Sequence, residues 1–252
     1  MDNTFDKIYY PEGELIAGVD ESGVSDIAGP LVAACVILPK IEDIKKHNLK
    51  IFEINDSKKV PEKYRDKHIG VIYDVALAIG IGEVTAPEID ILGKQASTRL
   101  AMARAVMACR DPGERKTIPD FILYDAADFG TLPLKIKQKG IPGGDEKSLC
   151  IAAASLVAKA WRDSIMLKLH ERFPQYGWLN NKGYPCENHF KGLDQNGVIE
   201  GVHRIKRWPF ISNNKETEGK TVWNKRRRLW RQRTEARYIK EAAGPVTKSK
   251  NP

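Results

Sequence analysis

The chain has 252 residues, 41 Lys plus Arg against 33 Asp plus Glu, and a formal net charge of +8. Apolar residues make up 42% and charged residues 29%, too apolar for general disorder and enough, at this length, to bury a substantial core. No apolar run reaches the ~18–20 residues needed to cross a bilayer, and MDNTFDKIYYPEGE lacks the basic start and apolar stretch of a secretory signal, so no membrane partner is expected.

In chain order, LIAGVD (15–20) reads as a short apolar strand ending in two acids, Asp20 and Glu21. PLVAACVIL (30–38) is a continuously apolar strand, bounded by Gly29 and Pro39, and the Gly-punctuated DESGVSDIAG between them is a tight connection. Pro61–Leu77 has the spacing of a helix, and AIGIGEV (78–84) alternates as a third strand. Thr85-Ala-Pro-Glu88 is a capping box, opening a helix that is expected to run to about Cys109. Phe121–Tyr124 is a buried strand closed by Asp125. Ser148–Phe173 is a long Ala- and Leu-rich helix stopped by Pro174 and Gly177, and a shorter helix follows near Glu187–Gln195. Strands first, then alternation of helix and strand, indicate an α/β fold, a sheet covered by helices. Residues 1–210 are expected to form the main domain.

Beyond Phe210 the sequence turns polar and basic. Residues 211–252 hold 12 Lys or Arg and 4 acids, a net of +8, which leaves residues 1–210 with 29 charges of each sign. Trp223 and Trp230 stand among Lys225-Arg226-Arg227-Arg228, Arg231 and Arg233. Such a segment suits phosphate neutralisation with base stacking. The two Trp residues are also seven apart, on one face of a helix, and docking on the body is an equal reading.

Cys35, Cys109, Cys150 and Cys186 form no CxxC pair, and His47, His68, His170, His189 and His203 form no HxxxH pair. Neither a disulfide framework nor zinc is indicated, and a reduced, cytoplasmic protein is expected. The chemistry instead points to carboxylates. Neighbouring strand residues face opposite sides, so Asp20 and Glu21 approach one point only if the strand bends there. Asp125 also ends an apolar strand, where an acid is expensive without a partner. Each acid alone also suits a turn or cap. Together, hard oxygen donors without His or Cys favour Mg²⁺ or Mn²⁺, and two such ions ~3.5–4 Å apart hydrolyse phosphodiesters. That chemistry needs about four carboxylates, which spacing alone does not nominate. No GxxxxGK[ST] loop, GxSxG elbow or dinucleotide fingerprint competes, and Ser155, four residues before Lys159, reads as core packing.

Several linked segments resemble the type 2 ribonucleases H, ribonuclease HII: GVDESGVSDIAGPLVAACVILP at 18–39, NDSKKV at 55–60, LYDAAD at 123–128, GGDEKSLCIAAASLVAKAWRD at 143–163, NKGYP at 181–185 and HRIKRWPF at 203–210. The resemblance covers about Glu14 to Phe210. It implies a ribonuclease H-like fold, with a mixed central sheet of about five strands flanked by helices, followed here by a helical C-terminal extension. It implies an endonuclease that uses Mg²⁺ or Mn²⁺ to hydrolyse the RNA strand of RNA/DNA hybrids or ribonucleotide-containing duplexes, leaving 5′-phosphate and 3′-hydroxyl ends; a monomer is expected. Residue by residue, it assigns metal binding and catalysis to Asp20, Glu21, Asp125 and Asp145. Asp163 is held in reserve, being better suited to a structural ion pair, while Asp128, Asp56 and Glu146 read as turn, solvated or capping acids.

Where the family has Gly-Arg-Gly, whose Arg and backbone read 2′-hydroxyls at an RNA–DNA junction, this chain has Gly23-Val24-Ser25. The change removes a fork of donors and restricts the backbone, so weakened junction preference is expected. Asp26 is similar to the related ribonuclease HIII, whose opening motif also ends in Gly-Asp. Tyr184 matches the family Tyr that stacks on the junction sugar. Lys58 is a candidate phosphate contact, as are Lys182, Arg204, Lys206 and Arg207. Two other readings remain: a binding module that has lost catalysis, favoured only by the altered segment, and a resolvase- or transposase-like nuclease, which the AAASLVAK and NKGY segments fit less well.

Overall fold

Seven consecutive buried residues, Leu31–Ile37, form a strand with helices against both of its faces. Such burial is what a continuous apolar run of this length requires. The computed structural model describes residues 15–40, 62–125 and 130–207. Within them the order is β1 (Ile16–Ser22), β2 (Leu31–Ile37), α1 (Glu62–Val75), β3 (Ala78–Val84), α2 (Ala86–Leu92), α3 (Lys94–Met107), β4 (Phe121–Asp125), β5 (Lys137–Ile141), α4 (Leu149–Arg172), α5 (Trp178–Asn181) and α6 (Glu187–Asn196). Lys58, Asp56, Asp128, the whole 211–252 segment and the boundary near Phe210 lie outside the described residues.

The five strands form one sheet in the order β3-β2-β1-β4-β5. The β1/β2 and β2/β3 pairs are antiparallel, and β1/β4 and β4/β5 are parallel. The mixed sheet expected from the sequence is thus present. On one face, Ala33, Cys35 and Ile37 pack with Ala101, Met102, Ala105 and Val106 of α3. On the other, Ala34 and Val36 pack with Ile72 of α1 and with Ala153, Leu156 and Val157 of α4.

Two elements differ from the sequence reading. The helix expected from Thr85 to about Cys109 is broken at Gly93, whose φ of 77° and ψ of 171° leave the helical region, so α2 and α3 are separate. The capping acid holds: the Glu88 carboxylate accepts from the Thr85 backbone N–H at 2.8 Å and pairs with Arg104 at 2.9 Å. The second difference is β5, which the sequence did not suggest. KQKGI is a polar, half-exposed edge strand specified by its ladder with β4 rather than by apolar alternation.

The long helix α4 sets the depth of the site. Ser148 caps it, its side chain accepting from the Ile151 N–H, and small residues at Ala152–Ala154 and Ala158 let it lie close on the sheet. Closest approach falls at Gly18 in β1, where an added Cβ would lie 2.0 Å from the carbonyl carbon of Cys150. This contact brings the first turn of α4 against β1, two residues before Asp20. Gly18→Ala must therefore push α4 off the sheet, and we expect it to destabilise the protein by about 3 kcal/mol or more in urea unfolding. An unchanged midpoint would contradict this packing.

Candidate active site

The register of the sheet brings the acids together. β1 and β4 run parallel with Val19 beside Tyr124, so the next residues along, Asp20 and Asp125, emerge side by side. Asp20 and Glu21 both lie within β1, opposite Ala34 and Ala33 of β2, so the strand continues through them rather than bending before them. Asp20 shares the face of Gly18, turned to α4, where the Ser155 side chain hydrogen-bonds to it. Glu21 belongs to the face of α3, whose first residue, Lys94, lends it some positive charge. Ser155 is therefore more than core packing: it reaches a buried acid of the site.

Asp20 is 6% exposed, and its Oδ1 accepts the Glu21 backbone N–H at 2.8 Å. Burial raises its pKa well above the ordinary carboxylate range, and the charges of Glu21 and Asp125 raise it further. Burial also raises Glu21, to about 7, with Asp125 the second cause. The Glu21 Oε2 is sealed from solvent and, among the described residues, has no hydrogen-bond partner. Asp125 Oδ1 accepts the Gly144 N–H at 3.2 Å, tying the end of β4 to the one-turn 3₁₀ helix Gly144–Glu146 that leads into α4. Asp145 follows Gly144 and is 3% exposed, whereas Glu146 is exposed. Asp163 pairs with Lys159 at 3.5 Å within α4, the structural role expected for it.

Among the described residues, no three His, Cys, Asp or Glu side chains are drawn into a ready-made ligating group. Asp20, Glu21 and Asp125 nevertheless feel one another's charge, and an all-oxygen set with an orphaned carboxylate oxygen suits a hard divalent cation.

The neighbouring surface is built on buried cations. Gly23 has φ 89°, and an added Cβ there would strike the Arg162 side chain. Val24 is half-buried against the core cluster of β1, β2 and α3, and Ser25 is exposed. Arg162 is 2% exposed and pairs with buried Asp26 at 2.7 Å. Burial lowers the Arg162 pKa, opposed by the charges of Asp26 and Asp163. Arg204 is a correction. The sequence offered it as a phosphate contact, but it is fully buried and donates to the carbonyls of Gly29 and Pro30, each at 3.0 Å. A buried guanidinium bonded to the backbone oxygens of Val24, Gly29 and Pro30 is a staple for the 24–30 segment. Lys182 is half-buried, and its Nζ donates to the Leu179 carbonyl. Tyr184 is 55% exposed.

A five-stranded sheet in this order, with acids at the adjoining ends of β1 and β4, defines a ribonuclease H-like protein. The ribonuclease HII family model matches residues 17–213, and the chain belongs to the ribonuclease HII family. It is 43% identical over 201 residues to the ribonuclease HII of Caldanaerobacter subterraneus subsp. tengcongensis, covering 79% of this chain and 77% of that protein. The ribonuclease H2 of Pyrococcus horikoshii OT3 superposes with a TM-score of 0.63 at 23% identity, covering 78% of this chain and 95% of that one. Bst-RNase HIII in complex with Mn²⁺ superposes with a TM-score of 0.57 at 16% identity, covering 81% and 70%. The chain is a ribonuclease H enzyme, an endonuclease acting on the RNA strand of RNA/DNA hybrids. Among the described residues, no helix is long and apolar enough to cross a membrane.

The raised acids have a consequence for stability. An acid with a folded pKa near 7 and an unfolded value near 4.5 binds more protons when folded, so its contribution to stability falls as pH rises across that window. His203, lowered to about 4 by burial and by His189, acts in the opposite sense between about 4 and 6.5. Comparison with Glu21→Gln isolates the acid. In chelator, the variant should gain stability over wild type from pH 5 to pH 8, on the order of 2 kcal/mol in chemical denaturation. A difference independent of pH would contradict the buried, mutually repelling site.

Proposed function

We propose that this enzyme hydrolyses the RNA strand by two-metal-ion catalysis with Mg²⁺ or Mn²⁺, held by Asp20, Glu21, Asp125 and Asp145. The reading rests on one observation, the acids Asp20 and Glu21 of β1 lying beside Asp125 at the end of β4, where burial and mutual repulsion raise the pKa values of Asp20 and Glu21. Divalent metal bound there supplies activation of water and neutralisation of charge at the scissile phosphate. Burial favours the neutral acids, and the protein's own groups counter this only in part. Ser155 favours the charged form of Asp20 through its hydrogen bond, Lys94 does the same for Glu21 through its charge, and the Gly144 N–H orients Asp125. The products carry a 5′-phosphate and a 3′-hydroxyl, and the RNA 2′-hydroxyl serves recognition.

Recognition falls to the Gly23-Val24-Ser25 backbone, to Tyr184 and to Lys58. The half-buried, apolar side chain of Val24 offers no donor, which supports a relaxed preference for a single-ribonucleotide junction. We assign residues 1–210 to the catalytic domain and 211–252 to a basic extension that adds nonspecific duplex affinity. The enzyme acts as a cytoplasmic monomer.

One paired assay tests the reading, with a continuous hybrid and a duplex carrying one embedded ribonucleotide as substrates. Wild type should cut both, the hybrid at least as well, and Asp125→Asn should fall below about one thousandth of wild type on each. Strong preference for the single ribonucleotide would overturn the relaxed specificity. Retained cutting by Asp125→Asn would overturn the metal-site assignment.

A further inference from the structure

The turn that carries Tyr184 is held by three consecutive carbonyls. Lys182 O accepts from Arg162 Nη1 at 2.9 Å, Gly183 O accepts from the Ile27 N–H at 3.0 Å, and Tyr184 O meets His189 Nδ1 at 3.1 Å. The third bond is fixed by a proton arrangement. His189 Nε2 accepts from Trp178 Nε1–H at 3.0 Å, leaving the ring proton on Nδ1 to be donated to Tyr184 O. Lys182, with φ 49°, and Gly183, with φ 89°, place the turn in the left-handed region. At Gly183 an added Cβ would lie 2.5 Å from the Ala28 carbonyl oxygen.

The same guanidinium holds the other candidate recognition segment. Arg162 Nη2 donates to Ala28 O at 3.1 Å and pairs with Asp26 at 2.7 Å, Nε donates to Pro30 O at 3.0 Å, and the side chain lies beneath Gly23. One buried cation therefore spans the 23–30 segment on one side and the Tyr184 turn on the other. Asp26 is the acid that neutralises it.

We propose that Asp26 and Arg162 are positioning residues that fix the separation between the Gly23-Val24-Ser25 backbone and the Tyr184 ring, and thereby set the enzyme's discrimination between an isolated ribonucleotide and a continuous RNA strand. The proposal rests on the recognition roles assigned above to those two segments. Neither residue touches substrate: both are buried, and they act through the two segments they join.

The test compares full-length wild type with Asp26→Asn, Arg162→Lys and Tyr184→Ala on the same two duplexes, reading kcat and KM separately and the Mn²⁺ concentration needed for half-maximal rate. Asp26→Asn keeps the side chain's shape and Arg162→Lys keeps its charge, so each loosens the clamp in a different way and either suffices. Both should change the ratio of kcat/KM between the two substrates by about tenfold, chiefly through KM, with the Mn²⁺ requirement unchanged. An equal loss on both substrates would reduce the pair to a structural role and overturn the proposal. A shifted ratio in Tyr184→Ala with none in Asp26→Asn and Arg162→Lys would overturn the proposal while leaving the recognition reading intact. An unchanged ratio in all three variants would overturn both.

Discussion

Burying a carboxylate disfavours its charged form, and burying it beside others disfavours it further. Asp20 and Glu21 carry both penalties, and Asp125 contributes to each. No packing argument explains acids at this place, because apolar residues at the ends of β1 and β4 would be more stable in the absence of metal. The unfavourable electrostatics make sense as a site that divalent cations relieve, and the surrounding structure holds the acids in position despite their repulsion.

That structure works through backbone register and close approach. The parallel β1/β4 ladder places Asp20 beside Asp125, and the absence of a Cβ at Gly18 lets α4 press its first turn against β1. The Gly144–Glu146 turn entering α4 then supplies an N–H to Asp125. Twelve residues on from Cys150, the same helix presents Arg162 to the 23–30 segment and the Tyr184 turn. One helix thus indexes the carboxylates at one end and the candidate substrate-reading segments further along.

Much of this was legible in the sequence because its signals are local. Apolar runs gave β1, β2 and β4, alternation gave β3, and the spacing of small and apolar residues gave α4. The acids Asp20 and Asp125 stood out as charges closing apolar strands. The rest depended on contacts between distant residues. β5 is polar and exists through its pairing with β4, and the break at Gly93 needs the backbone angles of one residue. Asp145 in a GGDE turn has no local mark of a buried acid, although it is 3% exposed. Arg204 reads as a surface cation beside Lys206 and Arg207, and only the fold shows its guanidinium spent on carbonyls. Likewise nothing local pairs Asp26 with Arg162, 136 positions away in the chain.

The most direct measurement of the central claim is anomalous diffraction from crystals grown with Mn²⁺ and a hybrid duplex uncut by virtue of a non-hydrolysable linkage. The account predicts manganese peaks within coordination distance of oxygens of Asp20, Glu21, Asp125 and Asp145, at the ends of β1 and β4. Manganese bound elsewhere, or those carboxylates remaining apart from it with substrate in place, would contradict it.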